Sequence, residues 1–94
     1  MVERNLKEHL QKVVKRYKGE ARKVRWEGRN FAPDWLVLTP VHHPFLVELK
    51  DIDKEPTVMQ QREINLLNSF GFRAEWANSE FMLGFLFEKH RKVK

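Results

Sequence analysis

Asp34, Glu48 and Lys50 are the residues of this 94-residue chain whose types and spacing could do chemistry. Asp34 stands at the mouth of an apolar run, Phe31-Ala-Pro-Asp-Trp35, and Glu48-Leu-Lys50 closes a second run after a short turn. Side chains at i and i+2 share one face of a strand. Glu48 and Lys50 therefore point the same way as Leu46, while Phe45, Val47 and Leu49 make an opposite, wholly apolar face. Carboxylates at the end of such a strand can hold a hard divalent cation, which prefers oxygen ligands. An ammonium group beside them is a compact positive charge suited to a phosphate.

The elements that must position these groups are legible from period and punctuation. Leu6, Leu10, Val13 or Val14, and Tyr17 recur at helical spacing from residue 3 to about 17, with Gly19 as the stop. Strands are expected at Arg22–Trp26, Trp35–Thr39 and Phe45–Lys50, the last two joined by the compact loop Pro40-Val-His-His-Pro44 as an antiparallel hairpin. A second helix runs from Thr57 to about Phe70, stopped by Gly71, and buries Ile64, Leu67 and Phe70. Phe72–Ala77 is a fourth strand, reached through that helix as a parallel crossover. Ser79 caps a last helix to about His90. The class is α/β, a small mixed sheet flanked by helices.

Composition narrows the possibilities. The length fits one small domain spanning 1–94, with a core that is marginal alone and gains from oligomerisation. The chain has no cysteine, which removes disulfides, thiolate nucleophiles and zinc–thiolate sites together. The amino terminus is charged, without an apolar signal core, and reads as cytoplasmic; no run is long enough to span a bilayer. The formal charge is +5. Lys12, Lys15, Arg16, Lys18, Arg22, Lys23, Arg25 and Arg29 crowd the first third, and Lys89, Arg91, Lys92 and Lys94 form a basic tail. Such clusters attract polyanions and bind them less tightly as salt rises. His42 and His43 read as loop residues near phosphate, and His9 and His90 as surface positions.

The ordered set of Glu3, Gly19, Lys23, Gly28-Arg29, Pro33-Asp34, Glu48-Leu-Lys50, Gln60 and Gly71-Phe72 resembles the PD-(D/E)XK nucleases, and within them the virus-type replication-repair nuclease (VRR-NUC) domain of phage and bacterial stand-alone proteins. The resemblance implies an αβββαβ core plus a C-terminal helix, and a magnesium-dependent endonuclease, with manganese as a substitute. It implies Asp34 and Glu48 as metal ligands, with the backbone carbonyl of Leu49 completing the set and Glu3 joining directly or through water. Lys50 would orient water or stabilise developing charge, and Gln60 would orient water or a ligand. It also implies dimers acting on DNA, on four-way junctions or other branched forms, in the host cytoplasm if phage-encoded. Lys23, Arg25, Arg29 and Phe31 are the expected DNA contacts. Phe31 departs from the family, which places glycine there; an aromatic ring could replace close backbone approach with stacking or wedging.

Plainer readings exist for each residue. Glu3 can pair with Lys7 at i, i+4, Thr57 and Gln60 make a capping box, and Glu48 with Lys50 can be a same-face ion pair. Phe81-Met-Leu-Gly-Phe-Leu-Phe87 is apolar nearly all round, which one small core cannot cover. Phe81 and Phe85 are therefore expected at a homodimer interface. The competing function is a catalytically inactive, basic DNA-binding accessory domain.

Overall fold

The structure, a computed structural model, describes residues 3–93, with side chains from residue 5 onward. The element order is α1 (Glu3–Arg16), β1 (Glu20–Lys23), β2 (Trp35–Leu38), β3 (Phe45–Leu49), α2 (Val58–Ser69), β4 (Ala74–Ala77) and α3 (Glu80–Lys89). The sheet order is β1-β2-β3-β4. The first two pairings are antiparallel, and β3 pairs in parallel with β4 through the α2 crossover. This is the mixed sheet the sequence predicts, with helices on both faces.

The alternation of β3 divides the interior. Phe45, Val47 and Leu49 join Trp35, Val37 and Ala77 beneath α1 and α3, which contribute Leu6, Leu10, Val14, Leu83, Leu86 and Phe87. On the other face Leu46 and Ala74 meet Ile64 and Leu67 of α2, with Leu36, Trp26 and Trp76 around them. Leu6, Leu10 and Val14 are spaced four apart, so they form one stripe down α1.

Several boundaries depart from expectation, each for a local reason. β1 is Glu20–Lys23 rather than Arg22–Trp26, because its register with β2 runs from Glu20↔Leu38 to Lys23↔Trp35. Beyond it Val24 makes one more hydrogen bond, its N–H donating to the Asp34 carbonyl at 2.7 Å. Trp26 then packs in a loop, its indole N–H donating to the Pro33 carbonyl at 2.8 Å. At the end of α1 it is Lys18, φ 59°, that takes the left-handed position. The N–H groups of Lys18 and Gly19 return to the carbonyls of Lys15 and Val14, a Schellman motif. Gly19 serves another need: a Cβ there would lie 2.1 Å from the Leu38 carbonyl oxygen. At the end of α2 the same motif places Gly71 at φ 96°, with Phe72 N–H donating to Leu67 O at 3.1 Å. Phe72 is thus spent on the cap and β4 begins at Ala74. Phe70, expected in the core, is 69% exposed as the C-cap residue.

Two histidines expected in a loop and at the surface are buried. His42 and His90 are 1% and 3% exposed, because the chain after α3 returns to the β2–β3 loop. The N–H of His43 donates to His90 O, and that of Lys92 to Val41 O, both at 2.8 Å. His42 lies between the rings of Tyr17 and Phe87. Its Nδ1 is 2.6 Å from the Thr39 hydroxyl, which already accepts the N–H groups of Val41 and His42. The hydroxyl therefore donates to Nδ1, leaving the imidazole neutral with its proton on Nε2, which makes no hydrogen bond of ordinary geometry among the described residues. His90 stacks on Phe45 and meets Glu75 through Nε2 at 2.5 Å, while Arg73 approaches Nδ1 at 3.3 Å. Burial pushes both histidines below their ordinary pKa of 6.5; for His90 the Glu75 carboxylate opposes the shift in part.

Candidate active site

Strand register brings the two acidic motif residues together. Trp35 pairs with Val47, so the register continued by one residue sets Asp34, just before β2, across from Glu48. Glu48 in turn pairs with Trp76 of β4, which puts Asp34, Glu48 and Trp76 in one row across the sheet. Asp34 is held at the mouth by the Val24 bond on one side and by the Trp26–Pro33 bond behind it. Glu48 and Lys50 are half-buried.

The antiparallel ladder also bears on the Leu49 carbonyl. Asp34 turns its carbonyl toward β1, and Leu46 and Lys50 turn their N–H groups toward β4. The alternate residue, Leu49, therefore faces β2 at position 33. That position is proline, which has no N–H to give. Pro33 thus removes the ladder donor that would otherwise compete for the Leu49 oxygen.

Lys50 is positioned by a helix cap. Thr57 is the N-cap of α2 and accepts from Gln60 N–H at 3.2 Å, while Gln60 Oε1 accepts from Thr57 N–H at 2.9 Å. The same Oε1 accepts from Lys50 Nζ at 3.1 Å. The capping and site readings of Gln60 are both satisfied, by one oxygen.

Lys23, an expected DNA contact, has Nζ 2.7 Å from Asp34 Oδ2. It also lies over the Trp35 ring, 4.9 Å from its centroid, as Lys7 does at 5.5 Å. Neither tie was visible in the sequence, because each joins side chains from different elements. The Lys7 contact places α1 beside this end of the sheet. Glu3, one turn before Lys7, opens α1, but its side chain lies outside the described residues. Among the described residues no three carboxylates or histidines gather as a metal site. Asp34, Glu48 and the Leu49 carbonyl are the oxygen donors here that could hold magnesium, which keeps several waters beside few protein ligands.

A groove of about 330 Å³ opens beside Asp34, lined by Lys23, Arg25, Trp26, Arg29 and Asn30 among others. Arg25 and Arg29 are exposed, and Arg29 pairs with Glu63 of α2 at 3.4 Å. Phe31 is 42% exposed. A cavity of about 450 Å³, lined by Lys18, Arg22, Thr39, His42 and Lys92 among others, is at the opposite end of the sheet, next to the basic tail. Asp34, Glu48, Lys50 and Gln60 are not among its lining residues, and size alone does not make it the site. Phe81 and Phe85 project from α3, 86% and 63% exposed, over a groove of about 320 Å³ that includes Trp76 and Met82. No helix among the described residues is long and apolar enough to cross a membrane.

No protein-family model and no curated protein matches the chain. A solved structure titled as a VRR_NUC domain does: it is 27% identical, with a TM-score of 0.80, over 94% of this chain and 97% of that one. The chain has the fold of a VRR-NUC domain, which points to a nuclease domain.

Proposed function

We propose that this VRR-NUC fold is a single-domain, magnesium-dependent endonuclease that hydrolyses phosphodiester bonds in branched DNA, four-way junctions foremost. The observation that supports the reading is the Trp35↔Val47 register, which when continued by one residue sets Asp34 across from Glu48, together with the Lys50–Gln60 hydrogen bond. When bound, magnesium or manganese would neutralise charge on the phosphate and lower the pKa of a coordinated water. Asp34, Glu48 and the Leu49 carbonyl would hold it, with Glu3 added from the start of α1.

In hydrolysis the water oxygen bonds to phosphorus and the ester P–O bond breaks. Of the water's two protons, one stays with the new phosphate oxygen or passes to solvent and the other ends on the departing oxygen, which leaves as a hydroxyl. Lys50 brings positive charge to the phosphate as negative charge builds there. Gln60, by accepting from Nζ, keeps that ammonium at a fixed point. Lys23 offsets the Asp34 charge before substrate arrives, and once released from Asp34 it is free to meet a phosphate. Arg25 and Arg29 line the adjoining groove with charge that strengthens DNA binding at low salt.

The test is cleavage of a labelled four-way junction and a matched linear duplex, with magnesium, manganese or EDTA, by wild type and Asp34→Ala. Metal-dependent and Asp34-dependent cutting of the junction supports the proposal in full; a loss of about a thousandfold or more on substitution corresponds to several kcal/mol of transition-state stabilisation. Cutting of both DNAs retains the chemistry and removes the selectivity. Salt-sensitive binding without cutting would replace it with the accessory DNA-binding reading, which the groove charges alone also support.

The exposed Phe81–Phe85 face of α3 supports a homodimer as the working unit, since contiguous apolar surface of this kind marks interaction sites and two-fold pairing would present two sites to one branched substrate. Sedimentation of wild type and Phe85→Glu checks this. Conversion of a dimer to monomer is expected, and a monomer in both samples rejects the dimer.

A further inference from the structure

Beside the candidate site, the loop at 27–31 and α2 enclose a cleft of about 240 Å³ lined by Arg29, Phe31, Met59, Arg62, Glu63 and Leu66 among others. Phe31 and Met59 are 42% and 46% exposed. Single exposed apolar residues are common and need no explanation; their setting here is less common.

The loop is held rather than loose. Gly28 takes φ 73°, the Trp26 indole closes the base on Pro33 at 2.8 Å, and Arg29 is pinned to Glu63 at 3.4 Å. Phe31 is therefore presented to solvent on a supported backbone, three residues before Asp34. Met59 is next to Gln60, the residue that holds Lys50. The Glu63 charge is met by Arg29, which leaves Arg62 to give the cleft a net positive character. A lining that combines Phe31, Met59 and Leu66 with the guanidinium groups of Arg29 and Arg62 matches a base joined to phosphates. The volume is below the ~300–1,000 Å³ of sites for drug-sized ligands, a fit for one base and too small for a base pair. Inside a duplex both faces of a base are covered by neighbours, whereas an unpaired base has a face to offer.

We infer that this cleft takes a single unpaired nucleotide of the DNA substrate, its base against Phe31 and Met59 and its phosphate toward Arg62. The inference rests on the nuclease reading and adds to it the feature of branched DNA that is recognised: a base freed at the branch, next to the bond to be cut. Phe31, unlike the glycine the resemblance leads one to expect, is the residue that makes the contact.

The test measures binding rather than cutting, in EDTA, with DNAs of one sequence carrying 2-aminopurine: a full duplex, and a duplex with one unpaired 2-aminopurine at a nick. Wild type should quench the unpaired base and leave the paired one unchanged. Phe31→Ala should remove the quench and weaken binding of the nicked DNA about five- to tenfold, as base–aromatic stacking predicts, with duplex binding within about twofold of wild type. Phe31→Trp should restore both. No quench with wild type, equal weakening on both DNAs, or no weakening at all would overturn the inference, and the last would leave the cleft to a peptide or a second copy of the chain. Selective quenching by a wild type that cuts nothing in magnesium would uphold the cleft while removing the nuclease reading.

Discussion

The two ends of the sheet are built on opposite principles. At one end Asp34, Glu48, Lys50 and Lys23 keep charged groups half in water, held by cross-strand register, one ion pair and a shared amide oxygen. At the other, the residues after α3 return to the β2–β3 loop and seal His42 and His90 among aromatic rings. Charge gathered near one place costs stability and creates reactivity, whereas imidazoles buried neutral among aromatic rings add packed apolar contact instead. The far end thus closes the sheet with buried rings and backbone bonds, while the near end holds its charged groups through partners that stay within reach of water.

Substitutions can break that division. Asp34→Ala should have the largest effect, abolishing cutting with little change in unfolding midpoint. His90→Ala should do the converse, costing about 2–3 kcal/mol through a lost buried side chain and a broken contact to Glu75, with cutting per folded molecule retained. Chemical denaturation alongside the cleavage assay checks both, and a His90→Ala protein that is stable but inactive would contradict the division. The far end also sets the response to acid. The folded pKa values of His42 and His90 lie below the ordinary 6.5, so the unfolded chain binds protons that the folded one refuses. Their contribution is intact above about pH 6.5 and is lost as pH falls through that value toward the lower folded ones. Unfolding followed at pH 7.5 and 5.5 should show lower stability at 5.5, with a smaller fall in His90→Ala.

The smallest effect is expected at Gln60. Gln60→Ala removes half of the capping box and the acceptor for Lys50 together. It should cost about 1 kcal/mol of stability and reduce cutting by more than that loss explains. Gln60→Glu keeps an acceptor for both donors and should hold the stability. Equal cutting by all three proteins, measured where each is fully folded, would reduce Gln60 to a cap.

Much of the near end was legible because its signals are local. Alternation in 45–50 put Glu48 and Lys50 on one face, Pro33-Asp34 marked the strand entry, and Thr57 with Gln60 three residues later announced the cap. The hairpin and crossover followed from loop length. What was not legible depends on contacts between distant segments. The burial of His42 and His90 exists only because residue 91 meets residue 42, and no local pattern in the Pro40–Pro44 loop carries that. Phe70 and Phe72 look like core and strand until the Schellman motif around Gly71 turns the chain. Lys23 looks like part of a solvated basic run until its strand aligns it with Trp35 and its side chain reaches Asp34.

The amide oxygen of Gln60 has two donors on it, one from the first turn of α2 and one from Lys50. A molecule in which that turn has frayed has also lost the fixed position of its lysine. On the proposed nuclease reading, local order and chemical competence would be one event in this chain: partly unwound protein would keep its basic surface for DNA but lack an aligned ammonium with which to assist a cut.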